Sequence, residues 1–311
     1  MIRTINYLMT CKWTNMLIRH RGCRWTTLAI LFGLFGLIPP GCGSYDPTPL
    51  SSLFLVPLEI NGASAVPAIV DTGGDFEVLL REDFGLAVVG EGRVLAYGGE
   101  QSVSVTEGFR YLVNGVEREA PFALIGPDLC DCNGVGFRFF RETGLVLALD
   151  FSTGSVRFDP QLPDVGAELR FVEPPPYLSG FPTSFIFIEV AAGFDPPEPG
   201  AGQTITAILD TGASVSVGRR EMLESLPGSN ITSDGRVEIT IGRVDLGVVG
   251  ASIVPFDTQG LPDLILGVDV MEAWGDRWFF QFRDNGGVVM VQRDDEGTQA
   301  EAPVVAVRHP F

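Results

Sequence analysis

A six-residue pattern occurs twice in this chain, as Ala68-Ile69-Val70-Asp71-Thr72-Gly73 and as Ala207-Ile208-Leu209-Asp210-Thr211-Gly212. Each copy is an apolar run that ends in a carboxylate, a hydroxyl and a glycine. With 20 Asp, 18 Thr and 38 Gly in 311 residues, about 0.14 Asp-Thr-Gly tripeptides are expected by chance. Two copies, each behind three apolar residues, should arise about once in ten thousand such chains. The pattern is therefore read as the mark of a duplicated unit, which limits the folds open to the chain.

The surroundings of the two copies extend the match. Leu53 to Ile60 reads as a strand, Asn61-Gly62 as a turn and Ala65 to Val70 as the returning strand; Ser184 to Ala191 and Thr204 to Leu209 repeat this around a Pro/Gly-rich loop. Downstream, Gly136-Phe137-Arg138-Phe139-Phe140 precedes Gly144 by eight, as Gly267-Val268-Asp269-Val270-Met271 precedes Gly275. Each copy then runs through a strand, a turn and a strand: Leu145 to Phe158 around Thr153-Gly154, and Trp278 to Val291 around Asn285-Gly286. This predicts one lobe over 53–158 and a second over 184–293. The linker between them, 159–183, holds five prolines between Pro160 and Pro176 and reads as a semi-rigid spacer. The polar, acidic segment 294–311 reads as a disordered tail. Short apolar runs bounded by Gly make the chain mainly β, with brief helices expected at Arg81 to Phe84, Arg138 to Thr143, Arg219 to Leu226 and Val268 to Trp274. Trp274, Trp278, Phe279 and Phe280 read as core. Val94 to Thr106 reads as a hairpin around Gly98-Gly99, with Tyr97 at its tip.

Composition narrows the chemistry. The only histidines are His20 and His309, near the two ends of the sequence. A Ser-His-Asp or Cys-His machine, and most catalytic zinc sites, would need an imidazole inside the fold. Beyond residue 41 there is no lysine, and 16 basic groups face 39 acidic ones, a net of −23. Such a surface repels phosphate backbones, which argues against nucleic acid as a partner. Carboxylates are left to carry any acid–base work, with no metal or organic cofactor required. Two Asp-Thr-Gly turns meeting across a twofold axis would place two carboxylates together, and like charges that close share one proton. One can then act as general base on a water while the other, protonated, polarises a carbonyl.

The first 41 residues contain no acidic group but carry Arg3, Lys12, Arg19, Arg21 and Arg24, followed by the apolar run from Leu28 to Ile38. That run suits the core of a signal peptide over 1–41, with Met16 as an alternative start, better than a membrane-spanning helix. Gly41-Cys42-Gly43-Ser44 after it resembles a bacterial lipobox, which implies lipidation of Cys42, a tether over 42–52, and an exported, membrane-anchored protein of the cell envelope. Cys130 and Cys132 read either as a local staple or as two free thiols.

The motif pairs together resemble the aspartic peptidases, in the retropepsin-like branch and in a duplicated single-chain form. The residues that carry the resemblance are Asp71-Thr72-Gly73-Gly74-Asp75 and Asp210-Thr211-Gly212-Ala213-Ser214, with Gly134-Val135-Gly136 and Leu264-Ile265-Leu266-Gly267 as the apolar-apolar-Gly segments that thread behind the turns. The resemblance implies two similar β-barrel lobes with a cleft between them. It implies Asp71 and Asp210 as the catalytic dyad, with Thr72, Gly73, Thr211 and Gly212 supporting the turns. Gly74, Asp75, Tyr97, Ala213 and Ser214 would contact an extended peptide or protein substrate. One chain supplies both halves, so a monomer suffices. Two other readings are open: a catalytically retired scaffold that binds a peptide or polymer in the groove, and a β-sandwich with chance Asp-Thr-Gly turns, which would hold the two aspartates apart.

Overall fold

The structure, a computed structural model, describes residues 27–28, 53–96, 99–126, 132–178, 185–193, 203–226, 230–232, 235–283, 286–293 and 305–306. The first half contains the strands β1 (Thr27–Leu28), β2 (Leu55–Ile60), β3 (Val66–Asp71), β4 (Val78–Leu80), β5 (Val88–Ala96), β6 (Gly99–Thr106), β7 (Phe109–Val113), β8 (Val116–Ala120), β9 (Leu124–Ile125) and β10 (Asn133–Gly136), then helix α1 (Phe137–Thr143). Next come β11 (Val146–Asp150), β12 (Ser155–Asp159) and β13 (Ala167–Arg170). The second half runs through β14 (Phe187–Gly193), β15 (Gln203–Leu209), β16 (Val217–Arg219), α2 (Arg220–Ser225), β17 (Asn230–Ile231), β18 (Val237–Arg243), β19 (Gly247–Phe256), β20 (Leu264–Leu266), α3 (Val268–Trp274), β21 (Arg277–Arg283), β22 (Gly286–Gln292) and β23 (Val305–Ala306). The protein is mainly β, and the helices are single short segments.

Each half builds one curled sheet on the same plan. An antiparallel pair carries the apolar run toward its Asp-Thr-Gly turn: β2 with β3, and β14 with β15. A later strand then runs parallel to the second member of that pair. It is β10 beside β3, with Gly136 opposite Asp71, and β20 beside β15, with Leu266 opposite Leu209. The Gly-Val-Gly segment, weak in apolar character, thus occupies the same place as Leu264–Leu266. Asn114-Gly115 joins β7 to β8 as a two-residue hairpin turn, and Asn61-Gly62 turns the chain at the end of β2; all four residues take positive φ, which suits tight turns of this kind.

The two sheets differ in closure. In the second half β19 pairs with β18 along residues 247–253 and with β16 along 254–256, which closes a six-stranded barrel. In the first half the corresponding path is broken into β8 and β9. Pro121 lies in the break and has no N–H to offer a ladder. The β5–β6 hairpin pairs instead against β9, and the sheet stays an open half-barrel. The expectation of two alike barrels is corrected to one closed and one open.

A third sheet, in the order β12-β11-β21-β22-β13, joins the halves. Leu147 of β11 lies opposite Phe280 of β21, and Leu169 of β13 opposite Val289 of β22. The segment read as a spacer therefore contributes a strand. Side chains alternate across this sheet: Leu147, Leu149, Trp278, Phe280, Val289 and Val291 face the main core, while Val146, Ala148, Phe279 and Met290 form a small outer cluster. The main core is continuous across the halves. Phe137 of α1 packs edge-on against Phe185 at 4.8 Å and stacks on Phe282 at 5.7 Å.

Three of the four expected helices form. Arg81 to Phe84 does not; Phe84 and Gly85 adopt φ of 48° and 77° and make a turn. Beyond residue 293 only Val305–Ala306 is described, paired with β19, and Thr27–Leu28 pairs with β5. Among the described residues no helix is long and apolar enough to cross a membrane. Cys42, Tyr97 and Cys130 lie outside the described residues.

Candidate active site

The two Asp-Thr-Gly turns meet back to back where the sheets abut. Asp71 is the last residue of β3, and Asp210 directly follows β15. The threonines tie the turns reciprocally: Thr72 N–H donates to Thr211 Oγ1 at 3.1 Å, and Thr211 N–H donates to Thr72 Oγ1 at 3.0 Å. Each hydroxyl then donates across the interface, Thr72 Oγ1 to the Leu209 carbonyl at 2.9 Å and Thr211 Oγ1 to the Val70 carbonyl at 2.7 Å. Both side chains are fully buried, so these bonds form without competition from water.

The glycines allow the approach. A β-carbon on Gly73 would lie 2.5 Å from Asp210 Oδ2, and one on Gly212 would lie 2.7 Å from Asp71 Cγ. Each glycine therefore makes room for the carboxyl of the opposite half. The strands behind the turns fix them in turn. Phe137 N–H donates to the Gly74 carbonyl at 3.1 Å, Val268 N–H to the Ala213 carbonyl at 2.9 Å, and Asp210 N–H to the Leu266 carbonyl at 2.9 Å.

Asp71 and Asp210 are both fully buried and lie side by side: a β-carbon on Gly212 would fall 2.9 Å from Asp71 Oδ1 and 3.1 Å from Asp210 Oδ1. Gly212 N–H donates to Asp210 Oδ1 at 2.8 Å. Among the described residues no donor of normal geometry closes on either oxygen of Asp71 or on Asp210 Oδ2. Burial raises both carboxyls above the ordinary range, and Asp71 is pushed further by the neighbouring charge of Asp210. The Gly212 amide acts in the opposite direction on Asp210. Like charges this close share one proton, which belongs to the pair.

The remaining expected site residues divide. Gly74 and Ala213 are buried beside the dyad, and Ser214 is half-buried. Asp75 is buried and engaged by Arg138, whose Nε and Nη2 donate to its two oxygens at 2.5 and 2.9 Å. It acts here as a tie between the turn and α1. Cys132 is disulfide-bonded and packs at the edge of the cluster containing Phe76 and Leu79, which settles against a free thiol at that position. Among the described residues no group of three or more His, Cys, Asp or Glu side chains could hold a metal ion. A groove of about 650 Å³ on the outer face of the third sheet, lined by Asp150, Arg157, Asp159, Arg277 and Phe279 among others, contains none of the site residues expected from the sequence.

A cluster that the sequence reading did not assign lies beneath the Asp210 turn. Ser216 Oγ donates to Asp269 Oδ1 at 2.7 Å and Ser216 N–H to Asp269 Oδ2 at 3.0 Å. The available signal was a carboxylate at the second position of α3, between Val268 and Val270.

No protein-family model matches this chain, and no curated protein matches it in sequence.

Proposed function

We propose that the protein is an aspartic-type endopeptidase, built as a duplicated, single-chain relative of the retropepsin-like enzymes. The observation that carries this reading is the pair of buried, adjacent carboxyls, Asp71 and Asp210, presented by two turns whose threonines interlock across the halves. Chance turns in a β-sandwich would have no reason to bring the two together.

In the proposed reaction the Asp210 carboxylate takes a proton from a water as its oxygen attacks the scissile carbonyl carbon. Protonated Asp71 donates a hydrogen bond, then its proton, to the carbonyl oxygen as negative charge develops there. The tetrahedral intermediate collapses with the C–N bond breaking: the proton gained by Asp210 passes to the leaving amine, and Asp71 takes a proton back from a hydroxyl of the intermediate as the C=O bond re-forms. The chemistry closes on two carboxyls and one water, so it needs no histidine, metal or cofactor. Export and a lipid anchor at Cys42 accompany the proposal on sequence grounds, and a peptide or protein is the proposed substrate.

Cleavage of a mixed peptide library by the purified protein from pH 3 to 8, with and without pepstatin, tests the reading. Cleavage abolished in Asp210→Asn is expected. Turnover unchanged in that variant would overturn the dyad assignment, and no cleavage by folded wild-type protein at any pH would leave a scaffold that only binds.

A further inference from the structure

The two active-site turns are tied to their helices by opposite chemistry. In both halves the tying residue is the second after the glycine that closes the parallel strand: Arg138 after Gly136, and Asp269 after Gly267. Arg138 reaches Asp75, four residues beyond Asp71, with a guanidinium that is 38% exposed. Asp269 is 7% exposed and reaches Ser216, six residues beyond Asp210.

The second tie is the more enclosed. Asp269 accepts from Ser216 Oγ, Ser216 N–H and its neighbour Val270 N–H, the last at 2.9 Å. Ser216 Oγ, while donating to Asp269, accepts from Gly267 N–H at 2.9 Å. The residue before Gly267, Leu266, holds the Asp210 amide through its carbonyl. The segment 210–216 is thus anchored at both ends to one junction, the passage from β20 into α3. Bonds to an ionised acceptor are stronger than neutral ones, and a buried carboxylate persists only when donors such as these satisfy it.

We propose that Asp269 is the positioning residue for Asp210, clamping the Asp210–Ser216 segment onto the Gly267 junction through Ser216 and so fixing the base against its partner. The inference rests on the peptidase reading for its kinetic consequence and on the hydrogen-bond geometry alone for its structural one. It makes the dyad asymmetric in support. Asp71 rests on a surface-reaching ion pair, Asp210 on a water-excluded network.

Asp269→Asn keeps the shape but replaces one acceptor oxygen with a donor, so it cannot accept from both Ser216 groups. Ser216→Ala removes only the hydroxyl and serves if the first variant does not fold. Two measurements apply to each variant: kcat and KM on a cleaved peptide, and amide hydrogen exchange at Gly212 and at Phe137, whose N–H is held by Gly74 within the first half, in the full chain. A fall in kcat of tenfold or more with KM within twofold of wild type is expected, together with at least tenfold faster exchange at Gly212 and little change at Phe137. Unchanged kcat and Gly212 exchange would overturn the proposal. So would equal loosening at Gly212 and Phe137 with kcat and KM moving together, which marks a general structural role. If wild-type protein cleaves nothing, the peptidase reading fails, and the exchange contrast alone decides whether Asp269 holds the Asp210 turn.

Discussion

Replacing Thr72 with valine removes one hydroxyl and leaves the side-chain shape almost unchanged. No cavity forms, so the cost is the loss of hydrogen bonds. Two partners are stranded: the Thr211 N–H, which donated to Thr72 Oγ1 at 3.0 Å, and the Leu209 carbonyl, which accepted from it at 2.9 Å. The site is fully buried, so water does not replace the hydroxyl. Leaving a buried polar group unmatched costs about 1–3 kcal/mol, so Thr72→Val should lose about 2–5 kcal/mol. Thr72→Ser keeps both bonds and loses one methyl, which costs about 1 kcal/mol. Urea unfolding followed by tryptophan fluorescence gives the stability difference, and Trp278, fully buried in the shared sheet, reports on the body of the fold. The same samples assayed for peptide cleavage should show Val inactive and Ser active. A Thr72→Val protein within about 0.5 kcal/mol of wild type, or a serine variant as damaged as the valine one, would refute the claim that the hydroxyl holds the two turns together.

Two further outcomes follow from the same geometry. Gly73→Ala and Gly212→Ala should each lower cleavage at least about a hundredfold and cost about 1–3 kcal/mol by overpacking, because the new β-carbon meets the opposing carboxyl; Gly250→Ala, with open space around it, is the matched control in a thermal melt. The dyad should also make stability fall as pH rises. Both carboxyls sit above 3.8 in the fold, so the folded protein retains a proton that the unfolded chain has released. The penalty is absent below about pH 4 and grows as pH climbs toward the folded values. Asp71→Asn should therefore flatten the melting temperature profile between pH 4 and 7 and raise it at pH 7, and a profile parallel to wild type would count against the buried dyad.

How much of this was legible in the sequence depended on whether the determining interaction was local. Asn61-Gly62 announces its turn because only a few residues tolerate positive φ. Val268–Trp274 announces its helix through an apolar run closed by Gly275. The pairing of the two Asp-Thr-Gly motifs was readable because duplication repeats a pattern within one chain. What was hidden depends on distant partners. Leu169 finds Val289 about 120 residues away, so a Pro-rich segment read as a spacer becomes a strand. Closure of one barrel and not the other turns on the break between β8 and β9, whereas β19 runs unbroken through its own proline, Pro255, from β18 to β16. Arg81 to Phe84 failed as a helix because Phe84 itself enters the left-handed region, which its side chain gives no reason to expect. The ion pair of Asp75 with Arg138 was hidden because nothing near Asp75 in sequence names that partner.

The sheet that joins the halves also sets an order of events during synthesis. β11 lies beside β21, and β21 beside β22, so the hydrophobic face under the first half is incomplete until residue 292 has left the ribosome. Pairings that distant are slow to form, because a long loop must close before they repay its entropy. The first Asp-Thr-Gly turn therefore waits, without its partner, through the translation of nearly 140 further residues. On the proposed reading, no partial chain can cut its neighbours.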